Sequence, residues 1–331
     1  MNSADPDRLG AFRFLDLLGG EQDAAAELRA GLLARPARIA PKYFYDALGS
    51  RLFAAICCLP EYPLTRSEAR LFAEHGEAIA AAAGRGRLLV DLGAGDCAKA
   101  EALFPLLAPA GYAALDISAD FLRAALERLQ GRWPGLPVCG AAIDFTREGE
   151  WPQAVFVPAE APRLWFYPGS SIGNFAPDAA RAFLARIARA CAAAPGGALL
   201  VGVDLVKDRA ALEAAYDDAL GVTAAFNLNV LNHVNRLLAA DFDVADWRHV
   251  AFYDEDAARL EMHLEARREV GVRLGGAARR FAAGERILTE YSHKWTEAGF
   301  AALLESAGFG RRRSWLEESG RFALFLAEAS S

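Results

Sequence analysis

The stretch Leu88-Leu89-Val90-Asp91-Leu92-Gly93-Ala94-Gly95-Asp96 decides the fold. A short apolar run carrying one acid ends in two glycines. The run reads as a buried strand, the glycines as a tight turn, and Ala98 to Leu107 as the helix that follows. About 20 residues on, at the spacing a nucleotide-binding unit requires, a second apolar run ends in Asp116. Strand, glycine turn, helix, strand and acid together open a nucleotide-binding α/β unit.

The charges at the turn narrow the ligand. Gly93-Ala94-Gly95-Asp96-Cys97-Ala98 formally fits the dinucleotide fingerprint, in which a helix N-terminus holds a pyrophosphate. Asp91 and Asp96 flank that turn and would repel a pyrophosphate. A ligand without phosphate and with a cationic sulfonium and ammonium suits them better, and S-adenosyl-L-methionine is that ligand. The bland alternative is a βα turn that binds nothing. The glycines alone leave it open, and the acids at both strand ends count against it.

Composition sets wider bounds. The chain has 331 residues, 53% of them hydrophobic, enough for one large domain or two smaller ones. Its net charge of −7 and the lack of a long basic run speak against nucleic acid as a partner. Cys57, Cys58, Cys97, Cys139 and Cys191 form no CxxC pair, which fits a reduced, cytoplasmic protein without structural zinc. Asp5, Asp7, Asp16 and Glu21 interrupt any apolar leader, and no apolar run reaches the ~18 residues of a membrane span. The five histidines show no metal-ligand spacing, so no metal is expected.

Along the chain, residues 1–40 read as helical, most clearly Ala24 to Leu33. An aromatic-rich segment, Pro41 to Ser50, follows, then a short helix over 51–58. Pro60 to Arg66 reads as a proline-bracketed loop, with Ser67 as N-cap of a helix over 68–83. Strands are expected at 88–92, 112–116, 138–143, 163–167 and 198–204, and helices at 98–107, 118–130 and 177–193. Pro195-Gly196-Gly197 is the expected turn before the fifth strand. This alternation predicts a parallel, doubly wound sheet. After Asp204 the pattern changes to two helices (207–220 and 224–239) and an alternating segment (258–274) that reads as a long strand or a hairpin. A helix over 295–306 and strands at 310–316 and 321–328 close the chain as a methyltransferase sheet closes, with a late antiparallel strand. The expected division is a substrate-binding α+β unit from 1–62 and 206–287, interleaved with a cofactor unit from 63–205 and 288–331.

Several residues carry candidate chemistry. Asp116 stands where an acid accepts hydrogen bonds from ribose hydroxyls; its alternative role as a helix cap falls better to Ser118. Asp144-Phe145 ends the third strand, where an acid accepts from an adenine amine. Gly169-Ser170-Ser171-Ile172-Gly173 matches the nucleophile elbow of a serine hydrolase, with Ser171 as nucleophile and His263 or His293 as base. The helix starts too late for an elbow, however, at Pro177, and no glycine-rich oxyanion segment lies upstream. Asn174 instead sits where a loop amide can bond a substrate amine or carboxylate. Tyr62, Tyr216, Glu290 and Ser292 lie at the seams between the two units, and a Glu beside a short polar residue there suits a cationic or imidazole group.

Longer blocks carry a resemblance. Pro41-Lys-Tyr-Phe-Tyr-Asp-Ala-Leu-Gly-Ser50, Leu59-Pro-Glu-Tyr62, Asp91-Leu-Gly-Ala-Gly95, Ile172-Gly-Asn174, Tyr216-Asp-Asp, Gly221 to Asn229, Phe242 and Thr289-Glu290-Tyr-Ser292-His-Lys294 together resemble the L-histidine Nα-methyltransferase family of ergothioneine biosynthesis. The likeness covers nearly the whole chain in order. The family also has a fungal branch acting on dimethylallyltryptophan. The resemblance implies a Rossmann-like class I methyltransferase sheet with a second substrate domain. It implies three methyl transfers from S-adenosyl-L-methionine to the α-amine of L-histidine, giving hercynine. By position, Gly93, Lys99, Asp116, Asp144 and Phe145 would bind the cofactor. Tyr62, Asn174, Tyr216, Met262, Glu290 and Ser292 would bind histidine, with Glu290, Ser292 and Met262 at the imidazole and Asn174 and Tyr216 at the amino-acid end. Tyr45 would line the same cleft and share the catalytic role with Asn174. The chain departs from the family at Pro63-Leu64, where a second Tyr is expected, and at Asp96, which adds a negative charge beside the turn. The expected partner is a small molecule, with no nucleic acid or membrane, and the expected state is a monomer. N-methylation of another aromatic amino acid, such as a tryptophan derivative, is the alternative; it fits less well because an indole offers Glu290 one donor and no charge.

Overall fold

The computed structural model describes residues 12–193 and 196–330; the polar start of the chain and the turn residue Pro195 lie outside them. The chain opens with β1 (Arg13–Asp16), α1 (Glu21–Leu33), β2 (Ala37–Arg38), a 3₁₀ turn (Pro41–Phe44), α2 (Ala47–Ile56) and α3 (Leu64–Ala83). The α/β run follows: β3 (Leu88–Leu92), α4 (Ala98–Leu107), β4 (Gly111–Asp116), α5 (Ala119–Arg132), β5 (Val138–Ala142), β6 (Arg163–Tyr167), α6 (Pro177–Ala192) and β7 (Ala198–Asp204). Then come α7 (Arg209–Tyr216), α8 (Val222–Leu238), β8 (Trp247–Asp254), β9 (Arg259–Ala266), β10 (Val270–Arg273), β11 (Ala278–Phe281) and β12 (Arg286–His293). The chain closes with α9 (Glu297–Ser306), β13 (Phe309–Leu316) and β14 (Phe322–Ala329).

The large sheet has the order β1-β5-β4-β3-β6-β7-β14-β13. Its strands from β1 to β7 pair in parallel, and β14 enters antiparallel between β7 and β13. This is the Rossmann-like class I methyltransferase architecture that the sequence predicts. Side chains alternate across it, as a strand's period of two demands. Leu89, Tyr112, Ala114, Phe166 and Leu200 join one core under α3, α4 and α5, whereas Val90, Ala113, Leu115, Trp165 and Val201 join another under α6 and α9. Chain order reverses between β3 and β6, which are neighbours in the sheet. The crevice beyond the carboxyl ends of such strands is where open α/β sheets bind ligands.

The second layer is a four-stranded sheet, β2-β12-β9-β8, joined by the β10–β11 ribbon. Helix α8 packs on α1, α2 and β8. Asp46 caps α2 by accepting from the Gly49 amide at 2.7 Å, and Asn229 of α8 donates to the same carboxylate oxygen at 2.8 Å.

The structure corrects four expectations. Residues 13–16 form a strand on the outer edge of the large sheet, parallel to β5, and so lie apart from the small sheet with which residues 1–62 were grouped. At the other boundary, β12 (286–293) runs within the small sheet. The segment 258–274 is two strands in different sheets: β9 pairs with β8 and β12, and β10 turns away to pair with β11. Helix α3 starts directly after Pro63, so Ser67 is buried one turn inside it, its amide bonded to the Pro63 carbonyl, and caps nothing. Among the described residues no helix is long and apolar enough to cross a membrane.

Candidate active site

Two cavities meet beyond the carboxyl ends of β3, β4, β5 and β6. The larger is walled by the turns after these strands and by the segment from Ala40 to Phe53. Gly93 and Gly95 line it, and both take positive φ, the region glycine enters without strain. The Gly93 and Ala94 amides both donate to the Leu115 carbonyl, which folds the turn against β4. Asp116 then ties it down. One carboxylate oxygen accepts from the Gly95 amide at 2.9 Å and the other from the Ser118 amide at 2.8 Å. Burial pushes its carboxyl up against these bonds. Each oxygen keeps a lone pair for a ligand hydroxyl. Ser118, expected as a side-chain cap, instead donates its hydroxyl to the Tyr45 carbonyl at 2.8 Å and so links α5 to the aromatic segment.

Asp144 and Phe145 line the same cavity. Lys42 reaches Asp144 from the 3₁₀ turn at 2.7 Å and Glu27 at 2.6 Å. Burial raises the Asp144 carboxyl, but Lys42 and Thr146 outweigh it and hold the group below the usual range. Arg186 of α6 donates to the Phe145 and Arg147 carbonyls and so fixes this loop from behind.

Lys99 is off this wall. It pairs with the buried Glu68 of α3 at 2.6 Å, and the other Glu68 oxygen accepts from the Gly169 amide at 2.8 Å. A Cβ at Gly169 would stand 3.0 Å from Lys99 Nζ, and one at Gly202 would stand 2.4 Å from Glu68 Oε1. Glycine at 202 therefore makes room for the buried carboxylate. Asp91 lies beneath the turn, where one oxygen accepts from Tyr112 at 2.7 Å and the other has no partner among the described residues. Burial pushes its carboxyl up to about 7. Asp96 is exposed and accepts from the Ala98 amide at the start of α4. Three carboxylates thus surround the turn, and its nearest ammonium, Lys99, is paired. That environment fits a ligand without phosphate.

The smaller cavity gathers every residue expected to bind substrate: Tyr62, Asn174, Tyr216, Met262, Glu290 and Ser292, with Tyr45. Glu290 and Met262 are partners across the β12–β9 pair, so their side chains share one face. A bulge between Leu288 and Glu290 shifts the register there, and Thr289 donates to the Met262 carbonyl at 3.0 Å. Among the described residues the Glu290 carboxylate and the Asn174 amide make no side-chain hydrogen bond in the protein, which leaves both to a ligand. Burial pushes the Glu290 carboxyl up to about 7, with Lys294 pulling the other way. Burial, with the charges of Glu290 and Asp116, raises the Tyr45 hydroxyl well above its ordinary value, so it stays protonated near neutrality.

Sequence reasoning missed part of this wall. Phe53 of α2 and Phe226 of α8 both pack edge-on against Tyr45 with ring centroids 5.6 and 5.8 Å away, and Phe53 meets Tyr62 at 6.4 Å. Tyr216 faces Tyr62 at 6.4 Å. Behind the cavity Lys294 contacts Ser292, Tyr216 and Asp204. The only signal for Lys294 was its place in the block 289–294, two residues beyond Ser292 and just past the end of β12. Tyr45, Phe53, Ser171 and Asn174 line both cavities and form the wall between them.

Ser171 opens a 3₁₀ turn (Ser171–Asn174) and its hydroxyl makes a 3.4 Å bond to the Pro168 carbonyl. His263 is bonded to Glu261 and His293 to the Gly173 carbonyl, so neither serves Ser171 as a base. The hydrolase alternative lacks its dyad. Among the described residues no group of three or more His, Cys, Asp or Glu side chains is placed to hold a metal.

Comparison with known proteins agrees with this geometry. The profile of the histidine-specific, S-adenosylmethionine-dependent methyltransferase family matches residues 24–329. The chain is 41% identical over 317 residues to a histidine N-alpha-methyltransferase of Mycolicibacterium smegmatis, covering 92% of this chain and 96% of that one. It is 39% identical over 307 residues to a histidine N-alpha-methyltransferase of Mycobacterium tuberculosis, covering 91% and 93%. Ergothioneine biosynthesis protein 1 of Neurospora crassa is 29% identical over 85% of this chain, which spans 32% of that longer protein. The protein is therefore an S-adenosylmethionine-dependent methyltransferase and belongs to the histidine-specific methyltransferase family.

Proposed function

We propose that this enzyme methylates the α-amine of L-histidine three times to give hercynine, a step of ergothioneine-type biosynthesis. The observation that carries the reading is the wall of Tyr45, Phe53, Ser171 and Asn174, common to a cofactor cavity and a cavity containing an unpaired Glu290. Names of relatives at 39 and 41% identity support the same substrate.

The residues divide by cavity. Gly93, Asp116, Asp144 and Phe145 hold the nucleoside end of the cofactor, while Lys99, paired with Glu68 off the cavity wall, supports the Gly169 turn through that carboxylate. Tyr62, Asn174, Tyr216, Met262, Glu290 and Ser292 hold histidine, with the imidazole at Glu290 and Ser292. The large sheet serves the cofactor, and the small sheet with α1, α2, α7 and α8 serves the substrate. Both cavities come from one chain, which supports a monomer acting on a small molecule. Five free cysteines support a reduced, cytoplasmic setting.

S-adenosyl-L-methionine supplies a methyl group already activated on a sulfonium. What remains for the protein is to present an amine lone pair in line with it. Asn174 and the protonated Tyr45 orient that amine, and burial favours its neutral form. The rings of Tyr45, Phe53 and Phe226 give the growing cationic head an aromatic wall. Incubation with S-adenosyl-L-methionine and a panel of amino acids, read by mass spectrometry, tests the reading. Gains of one, two and three methyl groups on histidine are expected, and methylation of tryptophan or its derivatives in preference to histidine overturns it.

A further inference from the structure

Behind Ser292 lies a buried polar chain that none of the assigned roles uses. Strand β12 places Glu290 and Ser292 on one face, because alternate residues of a strand point the same way, and Lys294, the first residue past its end, turns back onto Ser292. Lys294, 3% exposed, donates to Ser292 Oγ at 2.8 Å and to the Tyr216 hydroxyl at 3.2 Å. Its third contact is the fully buried Asp204 carboxylate, 2.9 Å away at the end of β7. Asp204 is held in turn by Lys207. Tyr216 donates its own proton to Ser292 Oγ at 2.8 Å.

The direction of these bonds decides what Ser292 can offer. A serine oxygen has two lone pairs and one proton. Lys294 fills one lone pair and Tyr216 the other, so the hydroxyl proton is left to point elsewhere, and the cavity is the open side. Lys294 has no acceptor to give, so Ser292 and Tyr216 both accept from it, and the Tyr216 proton, committed to Ser292 Oγ, sets the remaining direction. An ammonium in an apolar interior would lose its charge by desolvation, but Asp204 and the Tyr216 hydroxyl outweigh that and keep Lys294 charged.

We infer that Lys294, held by Asp204, is a positioning residue that forces the Ser292 hydroxyl to donate into the substrate cavity, so that the pocket selects a ring with a bare acceptor nitrogen. This rests on the reading that Glu290 and Ser292 face the imidazole. Ionised Glu290 accepts, Ser292 donates, and a neutral imidazole carries one N–H and one bare nitrogen to match them. An imidazolium would set its second N–H against the Ser292 proton. An indole or a phenyl ring leaves that proton unpaired, which a buried donor tolerates poorly.

The test is a double-mutant cycle on the enzyme with S-adenosylhomocysteine bound as the fold control. The variant Lys294→Met/Asp204→Asn removes the Lys294–Asp204 ion pair; Lys207 loses its carboxylate partner as well, so S-adenosylhomocysteine binding reads whether the fold survives. We expect a histidine KM ~10-fold higher with kcat within about twofold, the size of losing one well-made hydrogen bond to a buried donor. In a Ser292→Ala background the same pair should change KM far less, because the route through that hydroxyl is gone and only the longer bond to Tyr216, 3.2 Å, remains. If Lys294→Met/Asp204→Asn no longer binds S-adenosylhomocysteine, Lys294→Gln/Asp204→Asn, with amides in place of charges, reads the same cycle. Glu290→Ala separates the two levels of the claim. If it weakens histidine binding while the Lys294 effect is absent or adds fully to Ser292→Ala, the positioning role is overturned and the imidazole site stands. If Glu290→Ala leaves histidine affinity unchanged, the imidazole site falls and the inference with it.

Discussion

Lys42 Nζ lies 2.7 Å from Asp144 Oδ2, and this ion pair ties the aromatic 3₁₀ turn to the end of β5 across the mouth of the cofactor cavity. The carboxylate that should meet the adenine amine is therefore already held, ionised and oriented before any ligand arrives. Lys42 keeps some exposure, so the pair contributes on the order of 1 kcal/mol to stability. Its value is positional. Asp144→Ala is expected to weaken S-adenosylhomocysteine binding ~10-fold and leave the unfolding midpoint within a few degrees of wild type. Calorimetry and thermal denaturation check the two halves separately.

Asp116 and Glu290 sit in different cavities, and their substitutions should separate the two ligands. Glu290→Ala removes a buried acceptor from the substrate pocket. It should raise the histidine Kd ~10- to 100-fold, the range for a hydrogen bond to a charged group, while cofactor binding changes less than about twofold. Asp116→Ala also unties Gly95 and Ser118 and should show the reverse pattern. Equal losses of both ligands in either variant, measured by calorimetry, would sink the division of labour.

How much of this was legible in the sequence follows from the range of the interactions. The strand and turn at 88–96 are encoded locally: an apolar run, two glycines that tolerate positive φ, and a helix boundary. The helix 98–107 accordingly has the boundaries expected of it. Strand β1 failed for a different reason. Its four residues lie at a sheet edge and are only half-buried at best, so no period of two marks them. Ser67 misled because serine before an apolar run mimics a cap, whereas Pro63 starts the helix a turn earlier. The least legible group is Asp204, Lys294 and Tyr216. Each is unremarkable alone, and only the approach of β7, β12 and α7 makes them one network.

Buried carboxyls also make a pH prediction. Glu290 rises from an ordinary value near 4.5 to about 7 because burial disfavours its charged form. Between those values the folded protein binds more protons than the unfolded chain, so stability falls as pH rises from 4.5 to 7. Above 7 the full penalty remains, ~3 kcal/mol from the size of the shift. Glu290→Gln removes this term. The variant should match wild type near pH 4.5 and gain in unfolding free energy relative to it as pH rises, reaching a plateau above 7. Denaturant titrations at several pH values test this; a difference that stays constant with pH would refute it. Asp91 contributes a term of the same sign in both proteins and cancels in the comparison.

Phe53 borders both cavities and packs against Tyr45 and Tyr62, which in the proposed reaction sets it beside the head group as that group gains charge. The first transfer starts from a small neutral amine, and the last produces a quaternary ammonium. A ring face attracts that cation by roughly 0.5–2 kcal/mol, depending on how dry the site is. Phe53→Leu keeps an apolar side chain but loses the face. Its first methylation should slow least and its third most, so mono- and dimethylhistidine should accumulate where the wild type is expected to give the trimethyl product. Time-resolved mass spectrometry of the three products reads this directly. A uniform slowing of all three steps would show that the ring only fills space.

Ser171 offers the last separation. It stands on the wall between the cavities, with its hydroxyl making one long bond to the Pro168 carbonyl and neither His263 nor His293 bonded to it. A hydroxyl without a base is not a nucleophile at neutral pH. Ser171→Ala should therefore retain methyl transfer within about fivefold, the modest loss of a polar contact at the seam. Wild-type protein should stay unlabelled by a fluorophosphonate probe under conditions that label an authentic serine hydrolase to completion. Stoichiometric labelling abolished by Ser171→Ala would revive the elbow reading, because only an activated hydroxyl reacts in that way.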